Sequence, residues 1–501
     1  MKNNTNNSIK NNDDANNPIN DLNDLSDYYV DGLRLEIDQP IIREIGRLAD
    51  KYGFRVYIIG GYVRDYILGR PLNDFDFTVE GDCLQFAEIV ARHYRSNPIL
   101  FKRFRTAMVP IGEFKCEFVG TRKESYIPES RNPIVSEGSL YDDIKRRDFT
   151  INTLAADINE SNFGKVIDVF NGIEDIKKQR IITPLDPEIT FSDDPLRIMR
   201  AARFASQLGF LIEENLIEAA RNISERINII SIERISDEFM KIIASKKPSI
   251  GINILDNMGI LERIFPEISR LKGTNKVVVD GREYNHKDVY YHTLKVLDKV
   301  AEKSDNIWLR FAALLHDIAK PKTKSFIDGV GWSFHGHEEV GARWVKSIFK
   351  RLKLPFEHIE YVEKLVRLHQ RPMALVDNDI SDSAIRRLAF NAGEALDDLF
   401  TLCRADITTN NPAFSEKYFN NYEIVRQKVI DVQEKDKLRE FQSPVRGEEI
   451  MELCQIPPSR LVGIIKTAIE EAILDGIIPN DYDAAKQYFL ENKDTWIENY
   501  N

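Results

Sequence analysis

The sequence predicts an α+β chain: a mixed β-sheet with helices in the N-terminal part, then all-α segments to the C-terminus. Three observations carry this. Strand-like segments recur between Val56 and Val119, interleaved with helical stretches. From Ile212 to about Lys272 the apolar pattern is helical throughout. A length of 501 residues exceeds what one hydrophobic core supports, so about two to four domains are expected.

Composition narrows the class. Hydrophobic content of 43% and charged content of 30% fit a soluble globular protein. No apolar run approaches the ~20 residues that span a bilayer, and the N-terminus lacks the apolar core of a secretory signal. Cys83, Cys116, Cys403 and Cys454 form no CxxC pair and read as reduced core residues of a cytosolic protein. A net charge of −11 argues against wholesale polyanion binding, so any nucleic acid must be met by local basic patches.

The elements follow in order. Residues 1 to about 27 are Asn- and Asp-rich and are expected to be disordered. An amphipathic helix fits Gln39–Lys51, with Ile41, Ile42, Ile45 and Leu48 on one face. Then comes the central stretch, YIIGGYVRDYILGRPLNDFDFTV, Tyr57–Val79. A buried strand, Val56–Ile59, runs into Gly60 and Gly61. A helical pattern over Tyr62–Leu68 is broken by Gly69, Arg70 and Pro71, and a second strand carries Asp74 and Asp76. Alternation along a strand points both carboxylates to one face, as a hard cation such as Mg²⁺ requires. The glycines allow backbone N–H groups to approach a phosphate, and Arg64 adds a charged donor. The unit therefore suggests a nucleoside triphosphate held with metal. It is neither a dinucleotide fingerprint nor a Walker A loop, because the third glycine and the Gly-Lys-Ser/Thr are missing.

A helix fits Cys83–Tyr94, and strands fit Thr106–Ile111 and Lys115–Val119. Glu117 on the latter is a candidate third carboxylate; an edge-strand surface charge is the alternative. Residues Arg122–Asp143, with Pro128, Pro133 and Gly138, read as a long loop. In KRRDFTINTLAA, Lys145–Ala156, a basic turn precedes a helix-like run, and Arg147 beside Asp148 suits a triphosphate; a solvated basic turn is the alternative. In DDPLRIMRAARF, Asp193–Phe204, Asp194 caps a helix with Pro195 at its first position. Arg197, Arg200 and Arg203 lie along one side of that helix. Asp194 with Arg197 offers an acceptor and donors that match a base edge, while Arg200 and Arg203 suit phosphates. Ser231–Lys241 opens with a capping signature.

The region His286–Asp406 has different chemistry. His292, His316 with Asp317, His337, His369 and Asp406 sit on helical patterns. Clustered around an adjacent His-Asp pair, they read as ligands for one or two transition metals; a decayed site whose ligands are kept for packing is the alternative. Gly341–Leu354 carries Arg343, Lys346, Lys350, Arg351 and Lys353, a phosphate-tracking patch or a solvated helix face. Val445–Gly476 reads as a helical hairpin turning at Pro457 and Pro458.

Taken in order, GGYVRD, DFDF, RRDFTINTLA, DVFNGIEDI, DDPLRIMRAARF and SIERISDEF resemble the class II tRNA nucleotidyltransferases. These are the CCA-adding enzymes of the nucleotidyltransferase/poly(A) polymerase superfamily, here in the bacterial form with an HD domain. The resemblance runs from about residue 39 to the C-terminus. After the compositional leader, 1–27, it implies a nucleotidyltransferase head, 28–180; a helical neck that recognises the base, 181–275; an HD domain, 276–410; and a helical tail, 411–501. By it, Asp74 and Asp76 bind catalytic Mg²⁺, and Gly60, Gly61, Arg64 and Arg147 surround the incoming nucleotide. Asp194 and Arg197 stand in for a nucleic-acid template and read CTP or ATP, supported by Arg200 and Arg203. Residues Arg122–Asp143 fall where the family keeps the flexible loop that helps switch from C to A addition. The implied reaction is addition of CMP and AMP to the 3′ end of tRNA, met through its acceptor arm. The alternatives are A-only or poly(A) synthesis, or a second activity in which the HD domain hydrolyses 2′,3′-cyclic phosphates. No membrane and no particular protein partner is implied, and the expected location is the cytoplasm. Two departures stand out: FRTA at Phe104–Ala107 where FGTA is frequent, and DDxxR where EDxxR is commoner.

Overall fold

The computed structural model describes residues 25–72, 75–127, 130–273, 275–279, 282–286, 288–328, 331–375, 381–408, 412–436 and 443–500. The chain divides into two compact units. One holds the residues to Ala201 with Gly209–Ile229; the other holds Ala202–Leu208 with Ile230–Asn501.

The first unit is built on an eight-stranded mixed sheet. Its strands are β1 (Tyr29–Arg34), β2 (Arg55–Ile59), β3 (Phe75–Glu80), β4 (Ile99–Phe101), β5 (Thr106–Ile111) and β6 (Phe114–Gly120). After a separate two-stranded hairpin, β7 (Arg122–Ile127) with β8 (Ser130–Glu137), β9 (Ala155–Asp157) and β10 (Lys165–Ile167) complete it. The order is β1-β10-β9-β2-β3-β6-β5-β4, and only the β3–β6 pair is parallel.

Period-2 patterning sorts the two faces. Val56, Ile58, Phe75, Phe77, Val79 and Phe118 point into a core with helices α1 (Pro40–Tyr52) and α3 (Cys83–His93). Phe118 stacks on Phe77 with centroids 5.1 Å apart and meets Phe86 of α3 edge-on. Tyr57, Ile59, Ala155 and Ile167 point the other way and pack under Leu140 and Ile144. Beyond β3 that second face is open: Asp76, Glu117, Ile99 and Phe101 on it are exposed.

Several expectations hold closely. Helix α1 starts at Pro40 rather than Gln39, and Gly53 ends it in the left-handed conformation, φ 75°. Helix α2 covers Gly61–Ile67, and Asp82 caps α3 through the N–H groups of Leu84 and Gln85. Others need correction. Of the expected leader, residues 1–24 lie outside the described residues, and the part from Leu25 on is ordered into the head. Leu25 is buried in the apolar cluster with Tyr57, and Ser26–Tyr28 form a 3₁₀ turn. The loop Arg122–Asp143 is the β7–β8 hairpin followed by helix α4 (Leu140–Lys145), which a Ser139–Asp142 capping box opens. The helix-like run after Arg147 is a 3₁₀ turn, Thr150–Asn152, leading into β9. Its apolar residues are buried on every side, so periodicity could not tell strand from helix.

After β10 the chain forms α5 (Gly172–Lys177), α6 (Pro187–Asp193), α7 (Leu196–Leu208) and α8 (Glu214–Asn222). The helical remainder is interrupted by short strand pairs: Arg180–Ile181 with Leu211–Ile212, Asn275–Val279 with Arg282–His286, and Ser325–Ile327 with Gly331–Ser333. In the second unit, α9 (Ile232–Ile243) follows Ser231, whose side chain makes no capping bond, contrary to the expected signature. The hairpin Gly447–Cys454 and Arg460–Leu474 forms as expected and packs on the final helix through Ile465, Ile469 and Phe489. All four cysteines are free thiols. No helix among the described residues is long and apolar enough to cross a membrane.

Candidate active site in the head and candidate metal centre in the helical unit

Strand β2 delivers the glycine pair. Gly60 has φ 70°, a left-handed value that favours glycine. A methyl group there would lie 2.9 Å from Nη1 of Arg147, and one on Gly61 would meet Nη2 of Arg64 at 3.7 Å. Two guanidiniums therefore converge on this turn. Arg64 is buried, donates to Asn152 Oδ1 at 2.6 Å and is braced by Asp65. Arg147 is held by Asp143 at 3.3 Å, and its buried Nε has no hydrogen-bond partner.

Strand β3 pairs with β2 and brings Asp76 beside this turn, and Glu117 lies one strand further on. Asp76 on β3 and Glu117 on β6 are register partners across a parallel pair, so their side chains leave the same face. Although the side chain reaches solvent, partial desolvation by the surrounding sheet raises the Glu117 carboxyl above its ordinary range, and the neighbouring Asp76 charge adds to this against the pull of Arg122. Two like charges side by side with an all-oxygen donor set fit a hard divalent cation. Asp74 lies outside the described residues.

Segment 143–148 ties the site together. Asp143 is fully buried; burial opposes its charge, but Arg146 and Arg147 outweigh that and hold it ionised. Arg146 bonds Asp143 at 2.5 Å and Glu124 of the hairpin at 3.2 Å, and Arg122 bonds Glu124 from the other side. Burial likewise opposes charge on Asp148. Arg200 at 2.6 Å, together with Asn152, holds its carboxyl down at about 2. Asp194 caps α7 through Leu196 N–H, as expected. Arg197 donates to the carbonyls of Thr190 at 3.2 Å and Arg146 at 2.5 Å. The arginine stripe thus divides. Arg197 and Arg200 join the 146–148 segment, whereas Arg203 belongs to the second unit and pairs with Glu238 of α9 at 3.0 Å.

Sequence reasoning missed Asn152, Asp143 and the Arg122–Glu124–Arg146 chain. Ser139 three residues before Asp142 was the available signal for α4, the helix that positions Asp143.

The second unit brings the six His and Asp candidates together. His292, His316 and Asp406 form one group, and Asp317, His337 and His369 another, each with ligand atoms within 4.8 Å of one another. Asp317 spans both. Its Oδ2 faces His316 and His292 at 3.2 and 3.4 Å, and its Oδ1 faces His337 and His369 at 3.2 and 3.8 Å. Asp317 Oδ1 is buried without a well-directed hydrogen bond. His316, His337 and His369 turn Nδ1 to the carbonyls of Ala313, Phe334 and Val366 at 2.7–2.8 Å. Every Nε2 therefore points inward. A backbone carbonyl on the outer nitrogen is the usual way to fix a ligating imidazole. The donor set fits two metal ions sharing Asp317. Thr408 orients His292, and Lys320 bonds Asp317 at 2.7 Å; neither was anticipated. Of the basic residues in Gly341–Leu354, Arg343, Arg351 and Lys353 are paired with Glu339, Glu267 and Glu233, which suits a solvated face better than a phosphate track.

Comparison with known proteins agrees with this division of labour. Residues 56–182 match the family model for the poly A polymerase head domain. Residues 209–272 match that for a probable RNA- and SrmB-binding site of polymerase A, and residues 289–410 match the HD domain. A multifunctional CCA protein of Neisseria meningitidis is 31% identical over 361 residues, 70% of this chain and 82% of that protein. An A-adding tRNA nucleotidyltransferase of Deinococcus radiodurans is 28% identical over 83% of this chain and 90% of its own length. That of Aquifex aeolicus is 32% identical over 312 residues, 60% of this chain, which spans only 34% of that protein. The fold resembles that of the CCA-adding enzyme of Bacillus stearothermophilus, solved in complex with CTP. The TM-score is 0.62 at 22% identity, over 92% of this chain and 100% of that one. A nucleotidyltransferase head followed by a histidine-rich helical unit is a two-centre architecture. This chain belongs to the class II tRNA nucleotidyltransferases of the nucleotidyltransferase/poly(A) polymerase superfamily, in the form that carries an HD domain.

Proposed function

We propose that this chain adds CMP and AMP from CTP and ATP to the 3′ end of tRNA, building or repairing CCA in the cytoplasm without a nucleic-acid template. The observation that carries the reading is the Asp76–Glu117 pair on an open sheet face, beside the Gly60–Gly61 turn on which Arg64 and Arg147 converge. We take residues 28–180 as head, 181–275 as neck, 276–410 as HD domain and 411–501 as tail.

Asp76 and Glu117, with Asp74, supply the carboxylates for Mg²⁺; the ion, when bound, activates the RNA 3′-hydroxyl and stabilises the departing pyrophosphate. Arg64 and Arg147 take the triphosphate, and the glycine turn lets it approach the backbone. Asp194 and Arg197 present an acceptor and donors to the base, with Arg197 fixed by two carbonyls. Arg200 supports the site through Asp148. The protein's contribution is position and charge.

The test is incubation with tRNA lacking its 3′ end, with CTP and ATP supplied singly and together, followed by sequencing of the products. CTP alone is expected to add only C, and both together to complete CCA. No addition of C, with A added only to tRNA already ending in CC, supports an A-adding enzyme instead, a reading favoured by the similarity to the Deinococcus protein over nearly its whole length. A long A tail contradicts both. Asp76→Ala is expected to abolish incorporation and leave RNA binding in place; incorporation at the wild-type rate in that variant removes the proposed chemistry. Exchanging Asp194 or Arg197 is expected to blur the choice between C and A more than it slows turnover.

A second activity is favoured by Asp317, which faces both His-Asp groups. That arrangement suits metal-dependent hydrolysis of phosphoesters such as 2′,3′-cyclic phosphates on RNA ends.

A further inference from the structure

The open face of the head sheet extends well beyond the carboxylates. Register links Asp76 on β3 to Glu117 on β6, Met108 on β5 and Ile99 on β4 in one row across four strands. Residues paired in register point to the same side, and so do residues two apart along a strand. Phe101 therefore shares the face of Ile99. At about 4.8 Å per strand the row is about 14 Å long, the length of about four stacked nucleotides at about 3.4 Å each.

The far end of this row is unlike an ordinary edge. Ile99 and Phe101 are each 47% exposed, and Phe104 is 45% exposed. Between the two phenylalanines lie exposed Lys102 and Arg103 on a 3₁₀ turn, and the Arg103 guanidinium stands 5.9 Å from the Phe104 ring. The turn is rigidly seated. Arg105 ends it at φ 50°, Cys83 Sγ bonds the Arg105 carbonyl at 3.0 Å, and Arg122 bonds the Phe104 carbonyl at 2.8 Å. Holding a non-glycine residue left-handed costs about 1 kcal/mol, so these anchors keep a strained turn that displays aromatic rings and cations to solvent. Exposed aromatics interleaved with basic groups are the chemistry that binds single-stranded nucleic acid: rings stack on bases and cations meet phosphates. In a chain of net charge −11 such a patch stands apart from its surroundings.

We propose that the face from Asp76 across the row to Ile99, continuing into Phe101–Lys102–Arg103–Phe104, is the track for the single-stranded 3′ end of the RNA substrate. The terminal hydroxyl lies at the carboxylates, and a nucleotide a few residues upstream stacks on Phe101 with its phosphates against Lys102 and Arg103. This rests on the nucleotide-addition reading, because only a polymerising site must admit a 3′ end at Asp76 and Glu117.

The test is fluorescence anisotropy, without nucleotide, on two stem-loop RNAs that differ only in having a four-nucleotide single-stranded 3′ end or a blunt end. Phe101→Ala is expected to weaken binding of the overhang RNA about tenfold, in line with the loss of one base stack, and to leave the blunt RNA unaffected. Phe101→Trp is expected to restore the preference, which separates stacking from a structural effect. Lys102→Ala with Arg103→Ala is expected to flatten the salt dependence by about 1.4 in log–log slope, two contacts at about 0.7 each for single strands. During nucleotide addition, the Phe101→Ala effect is expected in KM for RNA and not in KM for ATP. Unchanged overhang binding in Phe101→Ala, or equal loss for both RNAs, overturns the track. Absence of nucleotide addition by the wild type overturns the functional reading instead, and the anisotropy comparison still decides the surface.

Discussion

Gly60 and Asp148 show how single residues set the head site. Gly60→Ala places a methyl group within 2.9 Å of Arg147 Nη1 in a left-handed conformation. The backbone costs about 1 kcal/mol, and the guanidinium must swing away from the turn. The expected outcome in steady-state kinetics is about a tenfold rise in KM for ATP and CTP, about 1.4 kcal/mol, with the fold retained. Asp148 carries a pH signature. Its carboxyl is held at about 2, by Arg200 and Asn152 against the effect of burial; the ordinary value is about 3.9. A depressed carboxylate stabilises the folded state above its unfolded pKa and loses that contribution as pH falls toward the folded one. The contribution is about 2.5 kcal/mol, present above about pH 5 and lost progressively between about pH 4 and 2. Urea unfolding of Asp148→Asn against wild type is expected to show a gap at pH 7 that narrows below pH 4. The sequence made Asp148 visible only as the neighbour of Arg147; its partner Arg200 is 52 positions away.

At the scale of elements, capping explains much of what held and what did not. Ser139 and Asp142 close a reciprocal box that starts α4, a helix of six residues too short to persist by propensity alone. Ser139→Ala is expected to cost about 1 kcal/mol, read as a lower unfolding midpoint. A different cap closes α9. Arg310, buried on the helix Ile307–Leu315, donates to the carbonyls of Ile243, Ala244 and Ser245 at 2.8–3.2 Å, and also to Ser304 and Ala301. Arg310→Met leaves these terminal carbonyls buried and unpaired, and is expected to cost about 3 kcal/mol or more in thermal unfolding. Strands β5 and β6 and helices α1 and α3 were legible from their periodicity, and β2 from a short apolar run that is buried on both faces. The β7–β8 hairpin was not. Its polar residues, prolines and glycine hide the alternation, and its pairing rests on cross-strand hydrogen bonds that composition does not encode.

At the scale of the whole molecule, two sites with unrelated chemistry sit in one chain, so their responses to metal should separate. A chelator would strip metal from the six-residue His-Asp cluster, whose ligands come from five helices or helix ends, from His292 to Asp406. The expected result is a drop in unfolding midpoint for the second unit, reversed by added metal, since an ion bound only by the folded state stabilises it by mass action. His316→Ala and Asp317→Ala are expected to lower metal content measured by atomic absorption while nucleotide addition continues. Equal metal content in these variants contradicts the two-ion assignment.

The sequence alone determined the fold class, the family, the glycine turn, the Asp76 strand and the identity of all six His-Asp candidates. Each of these depends on local spacing or on residue types whose chemistry is narrow. Only the tertiary structure decided that Glu117 stands beside Asp76, that Asp317 faces both histidine groups, and that Arg200 joins Asp148 while Arg203 turns to Glu238. These are pairings between distant segments, fixed by strand register and helix packing, and a one-residue change in register would have pointed the same side chains into the core.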